Sequence, residues 1–262
     1  MDHSARVEAS KLLHGIWQSR ATLVEMPEEL RPATREEGYA IQAELLQRET
    51  SSLFGWKIAA TSAAGQQHIN VTGPLAGRLL SSRVRRDGAT ISLSGNQMRV
   101  AEIEFAFRMA SALPPREEAY GIADVRAATG SLHPAIEIPD SRFSDFTAVG
   151  AAQIIADNAC ADLFVLGPAT NADWREADLA GHIVKATVNQ HPPLQGIGAN
   201  ALGDPWIALT WIVNELSRLG TTLDAGAVVT TGTCMAPIPV RPGDHVVGNF
   251  GIFGNVSVSF TD

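Results

Sequence analysis

The sequence predicts an α+β chain, a helical N-terminal segment ahead of a β-rich remainder. Two observations predict it. Ala5, Ala9, Leu12, Leu13, Ile16 and Trp17 recur at helical spacing over residues 4–20. Beyond residue 50 the pattern changes to short runs with period-two alternation, separated by glycine, proline and asparagine turns. Residues 1–50 are therefore expected as the helical segment and residues 51–262 as the β-rich domain.

The bulk properties narrow the class. A chain of 262 residues with 45% hydrophobic content can enclose a large core. A formal net charge of −8 argues against nucleic acid as the main partner, which needs a basic patch. The two cysteines, Cys160 and Cys234, form no C-x-x-C pair, so neither a disulfide framework nor a zinc ribbon is expected. No stretch approaches the roughly 20 apolar residues of a membrane span, and the N-terminus lacks a signal-peptide run. A cytoplasmic protein is expected.

In chain order, the helix over 4–20 is followed by a polar connection with Pro27 and Pro32. Thr34-Arg35-Glu36-Glu37 then reads as a capping box that opens a helix to about Arg48. Phe54 to Thr61 reads as a buried strand with Lys57 at its centre. Such a lysine either snorkels to the surface or is a fixed cation for a substrate carboxylate or proton transfer. Ser62 to His68 begins a short helix, in which His68 is a base or a packing residue. Gly73 to Gly77 reads as a loop, and Ala89 to Leu93 as a strand.

Val100 to Phe107 places Glu102 and Glu104 on one strand face and Ile103, Phe105 and Phe107 on the other. Two neighbouring carboxylates suit either a solvated face or a hard cation such as Mg²⁺ or Mn²⁺. Glu137, between isoleucines in a proline-bounded strand, offers a third acid. Glu117–Ala128 and Val149–Asn158 read as helices, and Asp162–Leu166 and His182–Asn189 as strands. Gly196-x-Gly198 lacks the third glycine of a dinucleotide fingerprint.

Asp204-Pro205 is a helix start, with a stripe of Ile207, Trp211, Ile212, Leu216 and Leu219 to Gly220. The strands Ala227–Thr233, His245–Asn249 and Asn255–Phe260 close the chain. Thr231-Gly232-Thr233 ends the first of these, either as a plain turn or as a holder of a substrate oxygen.

The order G-W-K-I-A-A-T-S, A-E-I-E-F-A-F, H-P-A-I-E-I-P-D-S-R-F, A-D-N-A…F-V-L-G and A-L-G-D-P…V-V-T-T-G-T…P-G-D resembles the 2-keto-4-pentenoate hydratase and 4-oxalocrotonate decarboxylase family, within the fumarylacetoacetate hydrolase superfamily. The resemblance covers roughly residues 5–260. It implies a mixed β-roll core with a barrel-like sheet, a homo-oligomer, and Mg²⁺ or Mn²⁺ on Glu102, Glu104 and Glu137. It implies Lys57 in catalysis, and a small 2-oxo acid substrate beside Thr61, Ser62, Leu75, Thr231 and Thr233. His68 is expected in catalysis from its own place in the chain.

The implied activity is hydration of a 2-hydroxydienoic acid in aromatic-compound breakdown. Decarboxylation of a 2-oxo-3-enedioate and carbon–carbon hydrolysis are the alternatives. One position departs from the hydratase pattern. Those hydratases carry an aspartate where Gly73-Pro74-Leu75-Ala76-Gly77 has Leu75, and the decarboxylase branch has a bulky residue there. Leucine transfers no proton, so His68 or His133 is the expected substitute.

Overall fold

The computed structural model describes residues 1–262. The helical N-terminus is α1 (His3–Ser19) and α2 (Arg35–Ala43), each started by a side-chain cap. Asp2 accepts from the Ala5 N–H, and Thr34 from the Glu37 N–H. Then come β1 (Leu53–Ala59), α3 (Ala63–His68) and β2 (Leu75–Leu80), followed by β3 (Val84–Arg86), β4 (Ala89–Ser92) and β5 (Val100–Met109). The middle of the chain forms α4 (Ile122–Ala128), β6 (Thr129–Ile138), α5 (Ala151–Ala156), β7 (Leu163–Leu166), β8 (Ile183–Val188) and β9 (Leu194–Ile197). The end forms α6 (Pro205–Arg218), β10 (Val228–Thr233), β11 (Ile238–Pro239), β12 (His245–Asn249) and β13 (Asn255–Thr261).

The strands build two sheets. The larger, eight-stranded and mixed, runs β2-β1-β10-β5-β6-β7-β3, with β11 on β5. The smaller runs β4-β13-β12-β8-β9. Ile103, Phe105 and Phe107 of β5 enter one core with Val246, Val256 and Val258 of the smaller sheet and Trp206, Leu209 and Ile212 of α6. The opposite face of β5 is thereby left for its acids, as the alternation of the strand predicts.

Four expectations need correction. Gly73–Gly77 is not wholly a loop, because Leu75–Leu80 pairs antiparallel with β1. All six residues of β2 are buried, so the strand lacks the alternation by which a one-faced strand is read. Val149–Asn158 shortens to α5, because Asn158, Ala159 and Cys160 turn left-handed, at φ 55°, 51° and 60°. Glu117–Ala128 keeps only Ile122–Ala128 as helix, beginning after Gly121. In α6 Ile212 and Leu216 are buried as expected, but the first position of the stripe is not. Trp206 is buried and Ile207 is 47% exposed, since the larger indole takes the core site against Phe107.

Candidate active site

Four neighbouring strands, β1, β10, β5 and β6, bring the chemistry to one sheet face. Glu102 on β5 is the direct cross-strand partner of Glu137 on β6. Glu104 lies two residues further along β5, opposite Ala135. Lys57 on β1 pairs in register with Thr230 on β10. One oxygen from each of Glu102, Glu104 and Glu137 lies within 4.8 Å of the other two. Glu104 and Glu137 are fully buried, whereas Glu102 keeps partial access through the cavity.

These charges are only partly paired within the protein. The Lys57 ammonium lies 3.0 Å from Glu137 Oε1 and donates to the Ala159 carbonyl at 3.1 Å. Glu104 Oε2 accepts from the Thr230 hydroxyl and, at 2.9 Å, from the Gly232 N–H. Glu104 Oε1 and Glu137 Oε2 are buried without a hydrogen-bond donor, and Glu137 Oε1 faces only the Lys57 ammonium.

Burial pushes all three carboxyls up. Glu137 and Glu102 push Glu104 further, whereas Lys57 pulls the other way. Glu137 is held at about 7. Burial also pulls the Lys57 ammonium down, but the summed attraction of Glu137, Glu102, Cys160 and Glu104 outweighs it and raises its pKa. One ammonium cannot balance three carboxylates, so within the protein alone the cluster resists full ionisation. Orphaned buried oxygens in that geometry fit a hard divalent cation with oxygen ligands.

Two glycines make the approach of the strands possible. A Cβ on Gly232 (φ +100°) would stand 2.2 Å from Thr61 Oγ1, and one on Gly77 would stand 2.4 Å from the Asn158 carbonyl oxygen. The site opens into a cavity of about 310 Å³. Lys57, Thr61, Ser62, His68, Glu102 and Thr233 line it, with an apolar wall that includes Ile69, Met98, Val100, Phe146 and Ile154. His68 closes α3 at the exposed mouth, edge-on to Phe146. Ser62 caps α3 through its hydroxyl.

Three predicted residues are brought neither to the cavity lining nor to the carboxylate cluster. Leu75 lies in the main core at the start of β2, opposite Ala59. Thr231 turns away, its hydroxyl donating to the Phe105 carbonyl at 3.0 Å. Alternation along β10 gives Thr230, not Thr231, the face that carries Glu104. His133 is held on β6 between the Gly167 carbonyl and Ser131. Sequence reasoning missed Thr230, the Gly232 N–H and the Ala159 carbonyl. Thr230 was open to discovery, since it shares strand parity with Gly232. The two backbone groups carry no residue-type signal.

No family model matches the chain. The 2-hydroxyhexa-2,4-dienoate hydratase of Comamonas testosteroni is 32% identical over 257 residues, 95% of each chain. The 2-keto-4-pentenoate hydratase of Paraburkholderia xenovorans (strain LB400) is 30% identical over 263 residues, 99% of this chain and 96% of that one.

The chain belongs to the 2-keto-4-pentenoate hydratase family.

A solved family structure extends the likeness to three dimensions. The 4-oxalocrotonate decarboxylase of Pseudomonas putida G7, complexed with magnesium and adipate, superposes with a TM-score of 0.90 at 25% identity, covering 99% of this chain and 98% of that one. The fold is that of the fumarylacetoacetate hydrolase superfamily, and the family assignment makes the protein an enzyme. No helix is long and apolar enough to cross a membrane.

Proposed function

We propose that the protein is a divalent-metal-dependent hydro-lyase that hydrates a small 2-hydroxydienoic acid formed in aromatic-compound breakdown. The observation that carries this reading is the meeting of Glu102, Glu104 and Glu137 beside a buried Lys57, at the inner end of an apolar cavity. The full-length likeness to two dienoate hydratases supports it. Glu102, Glu104 and Glu137 would hold Mg²⁺ or Mn²⁺. When bound, such an ion supplies Lewis-acid stabilisation of negative charge on the oxygens of a 2-oxo acid.

The chain's own groups supply the rest. Lys57 stays protonated, so it acts as a fixed cation and hydrogen-bond donor for developing oxyanion charge, not as a base. Ala159 and Glu137 hold its ammonium in place. Thr61, Ser62 and Thr233 offer hydroxyls around the head of the substrate. The apolar wall receives the diene and keeps bulk water from it. His68, at the solvent end, is placed to pass a proton between substrate carbon and solvent. Loss of the 2-hydroxyl proton with protonation at C5 gives the 2-oxo-3-enoate, whose C4 is electron-poor. Water adds its hydroxyl there and C3 takes up the second proton, for a net gain of one water. A homo-oligomer in the cytoplasm is the proposed working form.

A decarboxylase reading rests on Leu75 and on the close superposition with the Pseudomonas putida enzyme. Turnover of 2-hydroxypenta-2,4-dienoate and 2-oxohex-3-enedioate with Mg²⁺, followed by mass spectrometry, separates the two. Addition of 18 mass units (one water) without CO₂ is expected. CO₂ release from the dioate without hydration of the dienoate would overturn the hydratase reading.

A further inference from the structure

Behind the active-site strands lies a second charged centre that the chemistry above does not use. Arg78 on β2 is the cross-strand partner of Trp56 on β1. Its guanidinium carbon lies 4.6 Å from the indole ring centre, and the residue is only 7% exposed. An arginine cannot shed its charge, so a buried one normally has an acid beside it. Arg78 has no carboxylate within ion-pair distance.

The one side-chain acceptor for Arg78 is the neutral Gln42 amide oxygen. Gln42 cannot turn away, because its NH₂ group is committed to the Ala76 and Ile155 carbonyls, at 2.8 and 3.0 Å. Arg78 Nε is buried without a partner, and so is the Trp56 indole N–H.

Both residues line a solvent-open cavity of about 190 Å³, together with Tyr39, Leu219 and Thr221. Set against the roughly 30 Å³ share of one water, that space admits a small anion with part of its hydration. The one acid at the rim, Glu36, is engaged by Arg218 at 2.8 Å.

We propose that this cavity is a binding site for a small oxyanion, a free carboxylate or phosphate, gripped by the Arg78 guanidinium. The planar fork of arginine suits two oxygens of such a group. The site is wired to the active centre. The Asn158 amide brackets the Arg78 peptide, accepting from its N–H at 2.7 Å and donating to its carbonyl at 2.9 Å. The next residue, Ala159, supplies the carbonyl that holds Lys57. The proposal stands apart from the assignment of the reaction.

Calorimetric titration of the full-length protein with acetate and with inorganic phosphate, at constant ionic strength and with chloride as reference, tests it. The wild type is expected to bind one of the two saturably, and Arg78→Gln to weaken that binding at least tenfold. Trp56→Phe, which keeps the ring and removes the N–H, is expected to weaken it about threefold, and Lys57→Met to leave it within twofold. If Arg78→Gln does not fold, Arg78→Lys replaces it. A point charge without the fork is expected to weaken binding at least threefold. A preference for acetate identifies a carboxylate ligand, and one for phosphate a phosphoryl ligand. A response no different from chloride, an affinity indifferent to the Arg78 change, or binding lost only in Lys57→Met would overturn the proposal.

Discussion

Glu102 and Glu137 stand directly opposite each other across the β5/β6 pair, and Glu104 completes a cluster of three within 4.8 Å. Like charges placed so in a sheet repel. Only Lys57 relieves them from within the protein.

Replacing Glu104 by Gln should therefore separate folding from activity. Burial, Glu137 and Glu102 already disfavour the Glu104 anion, so without metal the neutral amide should melt no lower than the wild type. Its Mg²⁺ affinity should fall at least about 100-fold and turnover should vanish, because outer-sphere partners alone are already worth about 10–100-fold. Magnesium titration by calorimetry beside a thermal melt checks both. Wild-type affinity in the variant would remove Glu104 from the site.

Lys57→Met should behave in the opposite way. Removing one partner of a buried ion pair costs about 3–5 kcal/mol, so the metal-free variant should melt well below the wild type. Mg²⁺ should restore much of that loss, while kcat stays at least about 100-fold down through the lost oxyanion donor. A melt unaffected by magnesium would contradict the shared site.

Thr230→Val keeps the shape of the side chain and deletes the hydroxyl that donates to Glu104 Oε2. Glu104 would keep only the Gly232 N–H. Mg²⁺ affinity is expected to drop roughly tenfold or more, with little change in KM for a substrate at saturating metal. Thr231→Val is the control, since that hydroxyl serves a backbone carbonyl and not the acids.

His133 gives a pH-dependent signature away from the site. Burial lowers its pKa, the Gly167 carbonyl partly opposes this, and Arg108 adds to it. The unfolded state, with a pKa of about 6.5, thus binds a proton that the folded state refuses. Stability is full above about pH 6.5 and is lost as pH falls toward the lower folded value. The buried carboxyls titrate in the opposite sense over this range, so the signature is a difference. From pH 7.5 to 5.5 the urea midpoint of His133→Gln should rise relative to that of the wild type.

Much of this site was legible because strand parity is a strict rule. Glu102 and Glu104 share a face by spacing alone, and the same rule put Ile103 and Phe105 into the core. Caps were as plain, with Asp204 accepting from the Trp206 N–H just as Asp-Pro foretells. What stayed hidden depends on neighbours that a linear pattern does not name. β2 is covered on both faces and so shows no period. Leu75, read against the family's loop, proves to be a core residue. Of the two strand-end hydroxyls expected to face substrate, Thr233 lines the cavity and Thr231 does not, because the register shifts between Thr230 and Thr233, around Gly232 at φ +100°. The Ala159 carbonyl could not be foreseen, because its position follows from a backbone excursion and not from a side chain.

That excursion has a cost and a consequence. Three successive non-glycine residues, Asn158, Ala159 and Cys160, sit in the left-handed region, at about 1–2 kcal/mol each. The turn persists because tertiary ties hold it, the Asn158 amide on the Arg78 peptide and the Arg142 guanidinium on Asp157. A loosened molecule would let this stretch relax first, while the sheets remained paired. In mild urea, catalysis should thus fade before the circular-dichroism signal does, and the protein would pass through a form that is still folded but inert.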